Sequence, residues 1–290
     1  MPSLRDVKKK IESVEKTKQI TKAMNMVSSA KLNRAQERIL KFRPYADKFY
    51  EILSDLAEGV DPSIHPLLET REEIKTVGIL LITSDKGLCG AFNSNLIKHA
   101  FTLADKKKSE GKNIKFYCVG RKGRDAVRKS EYEMMKGIVD RMNRFDFTLA
   151  NEVGMDIIFA YEKGELDEVH MIYGNFINVL KQVPKDLQIL PVVSEKKEKE
   201  IKAEYIYEPS VEGILHELLP RFVKVQIYRG LLDTSASEHA ARMTAMDNAT
   251  KNCEDMIHTL TLAFNKARQA AITAELMDIV GGAEALRSST

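Results

Sequence analysis

From Leu4 to Leu56 the chain places a seam residue at every third or fourth position. Leu4, Val7, Ile11 and Val14 open it, Lys18, Thr21, Asn25 and Ser28 continue it, and Leu32, Ala35, Ile39, Phe42, Ala46, Phe49, Leu53 and Leu56 complete it. An unbroken 3-4 spacing is the seam of a coiled coil. Polar residues occupy its middle, where Ile20, Met24 and Val27 form an apolar stripe beside it. Ser3 and Asp6 make a capping box at the start, and Pro44 is expected to kink or interrupt the helix. A second ladder begins after the candidate N-cap Ser210. It steps through Leu215, Leu218, Phe222, Val225, Arg229, Leu232, Ala236, His239, Met243, Met246, Thr250, Cys253, Ile257, Leu260, Phe264, Ala267, Ala271 and Ala274. Pro220 is expected to bend its early turns, and Gly281-Gly282 to end it. At ~1.5 Å per residue the two rods measure roughly 80 and 110 Å. The longer one is expected to project beyond its partner, exposing "NKARQAAITAELMDIVGGAEAL".

Between the ladders the pattern changes. "TVGILLIT", "IKFYCVG" and "DEVHMIYGNF" are short apolar runs of strand length. They alternate with the helical stretches "SNLIKHAFTLADKKKSEG", "RKGRDAVRKS" and "FDFTLANEVGMDIIFAYEKGE". Such alternation implies a mainly parallel sheet covered by helices. The expected fold class is α/β, a long antiparallel coiled coil of N- and C-terminal helices with an inserted Rossmann-like domain. Its expected divisions are an N-terminal helix over 1–58, an α/β domain over 74–192, a charged connector over 193–209 and a C-terminal helix over 210–286.

Composition narrows the function. Charged residues make up 30% of the 290 and aromatic residues 7%, with no tryptophan, which suits helices joined through small and aliphatic side chains. No apolar run approaches the roughly 18 residues of a membrane span. The start lacks the apolar stretch of a signal peptide. Cys89, Cys118 and Cys253 form no CxxC pair, and the six histidines form no close pair, so reduced thiols and no metal are expected. "SDKGLCGAFNSN" is a glycine-bearing turn between strand and helix, but it is neither GxxxxGK[ST] nor GxGxxG. No nucleophile-base pair or carboxylate pair is legible. Residues 1–43 hold twelve Lys or Arg against four Asp or Glu, either a solvated face or a track for acidic protein loops. A coiled-coil scaffold bridging nucleic acid and an α/β nucleotide hydrolase with helical arms are the competing readings. The first lacks a nucleotide-binding head, and the second lacks a phosphate motif.

Three stretches, "ITKAMNMVSSAKL", "TSDKGLCGAFNSN" and "NKARQAAITAELMDIVGGAEAL", resemble in this order the gamma subunit of F-type ATP synthases. The last matches the family signature at Ile272-Thr273, Glu275, Asp278 and Gly282-Ala283, with Ala274 and Gly281-Gly282 as small variations. The cysteine-bearing insertion of the chloroplast members is absent. The resemblance implies a non-catalytic rotor shaft without cofactor, couplingion flow through a membrane rotor ring to sequential changes in the beta subunits. Its implied partners are three alpha and three beta subunits, epsilon, the c-ring and the delta subunit, with no nucleic acid. Its implied place is the cytoplasmic face of a bacterial inner membrane, without insertion. By motif, Met24 and Arg242 are expected near the beta-subunit lever loop, Arg268 and Gln269 at a catch loop, and Thr273 and Glu275 in the terminal signature. Gly87, Leu88, Cys89 and Gly90 are expected on the epsilon and rotor-ring side.

Overall fold

The computed structural model describes residues 4–57, 64–71, 73–192 and 211–288. The charged connector and the candidate caps Ser3 and Ser210 lie outside the described residues. In chain order the elements are α1 (Leu4–Ala57), β1 (Thr76–Ile82), α2 (Phe92–Ser109), β2 (Asn113–Val119), α3 (Arg121–Val127), β3 (Glu133–Ile138), α4 (Phe147–Glu162), β4 (Glu168–Phe176), β5 (Gln182–Leu190) and α5 (Val211–Ser288). The chain divides into two compact units, one of Met1–Val27 with Met243–Thr290, the other of Ser28–Arg242. No described helix is long and apolar enough to cross a membrane.

The first unit is a pair of antiparallel helices. Asn25 Nδ2 donates to the Met243 carbonyl at 2.9 Å, the Thr21 and Thr250 hydroxyls meet at 2.8 Å, and Lys18 pairs with Glu254 at 3.0 Å. Position falls along α5 as it rises along α1, which is the antiparallel sense. Val7, Thr21 and Met246 are buried, and Leu4, Ile11, Val14, Cys253, Ile257, Leu260 and Phe264 are half-buried on the same seam. Every residue from Ile272 to Ala283 is exposed.

The second unit holds a five-stranded sheet in the order β3-β2-β1-β4-β5. β1, β2, β3 and β4 run parallel, while β5 returns antiparallel to β4. One face packs Val77, Ile79 and Leu81 of β1 with Ile114, Phe116 and Cys118 of β2 against Phe92, Leu96 and Ala100 of α2 and Val127 of α3. On the other face α4 buries Leu149, Val153 and Ile157, and Tyr117 of β2 donates to Asp156 of α4 at 2.7 Å. α5 also covers this face, because a Cβ on Gly230 would sit 2.8 Å from the Met171 sulfur and 3.3 Å from Ile82. From Leu231 to Ala240 every residue of α5 is buried, with Thr234 and Ser237 bonded to Gly174 of β4 and Leu232 lining one small cavity with Ile39 of α1. Only small side chains such as Ser235, Ala236, Ser237 and Ala240 allow a helix to be surrounded so closely.

Several expectations change. α1 runs through Pro44 without interruption, and Pro44 is exposed on the solvent side. α5 continues through Gly281 and Gly282 to Ser288, both glycines keeping a negative backbone φ. Glycine costs a helix about 1 kcal/mol, which weakens it without ending it. Arg229 and Ala274 stand on the ladder but are exposed. β3 and β5 carry no strand signal of the expected kind. β5 contains Pro184 and two charged residues, a composition tolerated only on a sheet edge.

Candidate functional site

The loop after β1 reaches the point where the sheet order reverses, between β1 and β4. In an open α/β sheet that crevice, outside the carboxyl ends of the strands, is where ligands bind. Here it is filled from within. The Gly174 amide donates to the Thr234 hydroxyl at 3.2 Å, and the Ser237 hydroxyl donates to the Gly174 carbonyl at 2.9 Å. A Cβ on Gly174 would stand 2.6 Å from the Phe92 ring, so α2, β4 and α5 meet there with no spare volume.

Arg242 closes the same loop. Its guanidinium donates to the Gly87 carbonyl at 3.0 and 3.2 Å and to the Lys86 carbonyl at 3.3 Å, and pairs with Glu238 at 2.7 Å. Both members of the pair are buried. Burial pushes the Glu238 carboxyl up, while Arg242 holds it down. Two carbonyls therefore line the position where a phosphate would need amide donors. Leu88 adopts a left-handed backbone, φ 61, and presents an exposed side chain at the loop's crest. Cys89 points inward, taking a hydrogen bond from Asn93 Nδ2 at 3.1 Å, and burial raises its thiol pKa. Burial also raises Cys118, to about 12, so neither is a reactive thiolate. Among the described residues no group of three His, Cys, Asp or Glu is placed to hold a metal.

The resemblance assigned Arg242 and the Gly87–Gly90 turn to different partners, yet the structure joins them. Asp85, which motif reading passed over, anchors the same region. Its carboxylate accepts from the Arg121, Asp140 and Met142 amides at 2.9–3.0 Å. Its only sequence signal is a lone acid directly after a buried strand.

The remaining singled-out residues belong to the helix pair of the first unit. Met24 is half-buried, while Arg268, Gln269, Thr273 and Glu275 are exposed on α5. The Thr273 hydroxyl donates to the Gln269 carbonyl at 2.9 Å, within its own helix. Around them Ile272, Leu276, Met277, Ile279 and Val280 are each at least half exposed. Five large apolar side chains in nine residues, exposed among the described residues, form a surface of the kind that marks a protein contact.

Residues 3–286 match the family model described as ATP synthase. The ATP synthase gamma chain of Nitratidesulfovibrio vulgaris strain Hildenborough is 66% identical over 290 residues, covering 99% of this chain and all of that one. That of Chlorobium phaeobacteroides is 45% identical over the same lengths. Among solved structures, a chain of the central stalk and c-ring of the Tetrahymena thermophila mitochondrial ATP synthase superposes with a TM-score of 0.59 at 26% identity, covering 79% of this chain and 99% of that one. A chain of the Euglena gracilis mitochondrial enzyme reaches 0.69 over 99% of this chain and 95% of its own, at an identity of 19% that speaks for the fold. With a helix pair and an inserted sheet, a family match over residues 3–286 and a full-length relative at 66% identity, the chain belongs to the ATP synthase gamma chain family.

Proposed function

We propose that the chain is the turning central shaft of an F-type ATP synthase, non-catalytic itself, with the end of α5 enclosed by a ring of three alpha and three beta subunits. The observation that carries this is the run from Ile272 to Ala283, exposed throughout and rich in apolar side chains. A shaft that presents a different profile to each beta subunit stabilises a different conformation in each, and a ligand shifts an equilibrium only by its differential affinity for the states. On this reading Met24, Arg268, Gln269, Thr273 and Glu275 meet beta-subunit loops. Arg242 holds the Gly87–Gly90 turn by its carbonyls, so we assign both to one beta-facing surface, with Leu88 as its contact. The sheet domain takes the epsilon and c-ring side at the cytoplasmic face of a bacterial membrane, and the delta subunit belongs to the same assembly.

Co-expression of the full chain with alpha and beta subunits tests this. A complex with one copy of this chain per three beta subunits is expected. ATP hydrolysis should be absent from the chain alone and present in the complex. Tight ATP binding by the isolated chain in calorimetry, or failure to recover alpha and beta, would count against the proposal.

A further inference from the structure

In the second unit a cavity of about 50 Å³ lies between α1, α5 and the end of β4. Four of its lining residues are charged, as two i,i+4 pairs: Arg43 with Asp47 on α1, and Arg229 with Asp233 on α5. Such spacing places opposite charges side by side on a helix. Neither pair is closed, and none of the four side chains has a hydrogen bond or ion pair among the described residues. Asp233 is the unusual member. It is 7% exposed, whereas Arg43 and Arg229 are exposed at the rim. The remaining walls are largely apolar, with Ile39, Phe42, Phe176 and Leu232 among them. A buried carboxylate with no partner costs free energy comparable to a lost charged hydrogen bond, so its ionised form needs a cation brought to it.

We infer that Asp233 is a proton-controlled clamp: when ionised it draws the Arg43 guanidinium across the cavity and ties α1 to α5, and when protonated it leaves the two helices untied at this point. Arg43 is the tying partner because it stands on the other helix. Arg229 shares a helix with Asp233 and can screen it but cannot join two elements. The groups facing Asp233 are Arg229 on its own helix, Arg43 and Asp47 on α1, Tyr173 on β4 and Lys185 on β5. Burial pushes the Asp233 carboxyl up to about 6, against the pull of Arg229, Arg43 and Lys185. The open arrangement therefore takes up its proton at about pH 6. Tyr173 is itself raised to about 12 and stays neutral throughout. A folded-state pKa above the unfolded value of 3.8 means that ionisation disfavours the open fold as pH rises towards 6. Closing the clamp offsets that loss.

A double-mutant cycle on the full chain tests the inference, using Asp233→Asn, Arg43→Gln and the pair, with unfolding by urea at pH 5.0 and pH 8.0. Asn is isosteric with Asp, and Arg43 is exposed, so all variants are expected to fold. The expected result is a coupling of about fivefold or more in the unfolding equilibrium constant at pH 8.0 and none at pH 5.0, in line with a partly buried ion pair. The same cycle in an Arg229→Gln background should keep its coupling. Equal coupling at both pH values would make the pair a fixed brace and overturn the switch. No coupling at pH 8.0, or coupling that vanishes with Arg229→Gln, would overturn the clamp between helices.

Discussion

At the scale of single residues, two buried charge sets distinguish holding a fold together from holding a surface in place. Arg242 and Glu238 form one, and removing either leaves the other buried without its counter-charge, a loss of roughly 3–5 kcal/mol. Arg242→Ala is therefore expected to lower the urea midpoint of the isolated chain, and Glu238→Gln to lower it less because the amide still accepts. If Arg242→Ala leaves that midpoint unchanged, the arginine does not anchor the loop. His170 is the centre of the other set. Its Nδ1 lies 2.8 Å from Asp186 and its Nε2 2.8 Å from Glu168, which Lys107 also holds at 2.9 Å. Burial opposes the charged ring, but the hydrogen bonds and charges of Asp186 and Glu168 outweigh it and push its pKa up to about 9. The His170 hydrogen bond is the main reason Glu168 falls to about 2. A raised histidine stabilises fully below the unfolded value of 6.5 and loses that contribution as pH climbs through about 9. A lowered glutamate contributes above 4.5 and loses it as pH falls towards 2. His170→Gln should thus cost on the order of 2 kcal/mol at pH 6 and progressively less by pH 9, read from urea midpoints at each pH. A cost independent of pH would mean that packing, not charge, holds β5 to β4. The His170 set was not legible in the sequence, since Glu168 and Asp186 come from different strands and only the fold brings them to one ring; the i,i+4 spacing of Glu238 and Arg242 was legible, but not the burial that gives the pair its weight.

At the scale of elements, the helix ladders were legible almost position by position, and the sheet was legible in its centre but not at its edges. The α1 seam from Leu4 to Leu56 is buried or half-buried at every step, because a 3-4 repeat leaves no other stripe to bury. Arg229 departs from the α5 ladder because α5 there also packs against the sheet, so one seam no longer describes its burial. β1, β2 and β4 lie inside and read as continuous apolar runs, whereas β3 and β5 have an edge to solvent and need no such run. The polar middle of the helix pair has its own logic. The Thr21 and Thr250 hydroxyls meet at 2.8 Å, and each also reaches a carbonyl of its own helix, Lys18 at 3.0 Å and Met246 at 2.8 Å, so Thr21→Val removes the contact between the helices while Thr250 still donates to Met246, and Thr21→Val with Thr250→Val replaces both by an apolar pair. The single change is expected to cost about 1–2 kcal/mol and the double change less than the single, by thermal unfolding of the full chain. Additive costs would show that the hydroxyls act independently. Where α5 meets the sheet the tolerance is smaller still. Gly174→Ala would drive a methyl into the Phe92 ring and is expected to destabilise by ~1–3 kcal/mol.

At the scale of the whole molecule, what decides function is surface that the chain does not cover for itself. The basic start of α1 illustrates how the structure refines this. Lys18 is paired with Glu254, but Lys8, Lys9 and Lys22 are exposed and remain available to acidic loops of a partner. The far end of α5 makes the stronger case. Ala271 is the last half-buried seam residue among the described residues, and from Ile272 to Ala283 every residue is exposed. Added side-chain carbons on Gly281 or Gly282 would meet nothing within 4 Å. In the isolated chain, therefore, Ala271→Trp and a stop after Ala285 should each change the urea midpoint by little, within about 0.5 kcal/mol. In complexes with alpha and beta subunits the two should part. If a close-fitting ring surrounds this end, Ala271→Trp overpacks the contact at a cost of about 1–3 kcal/mol, which slows ATP hydrolysis roughly tenfold when it falls on the turning step. The short truncation removes residues beyond the glycine pair and should leave hydrolysis within about twofold of normal, as terminal residues outside a packed contact are weakly constrained. Hydrolysis unaffected by the tryptophan, together with loss of assembly on truncation, would place the anchoring contact in the last five residues rather than on the exposed apolar face that precedes them.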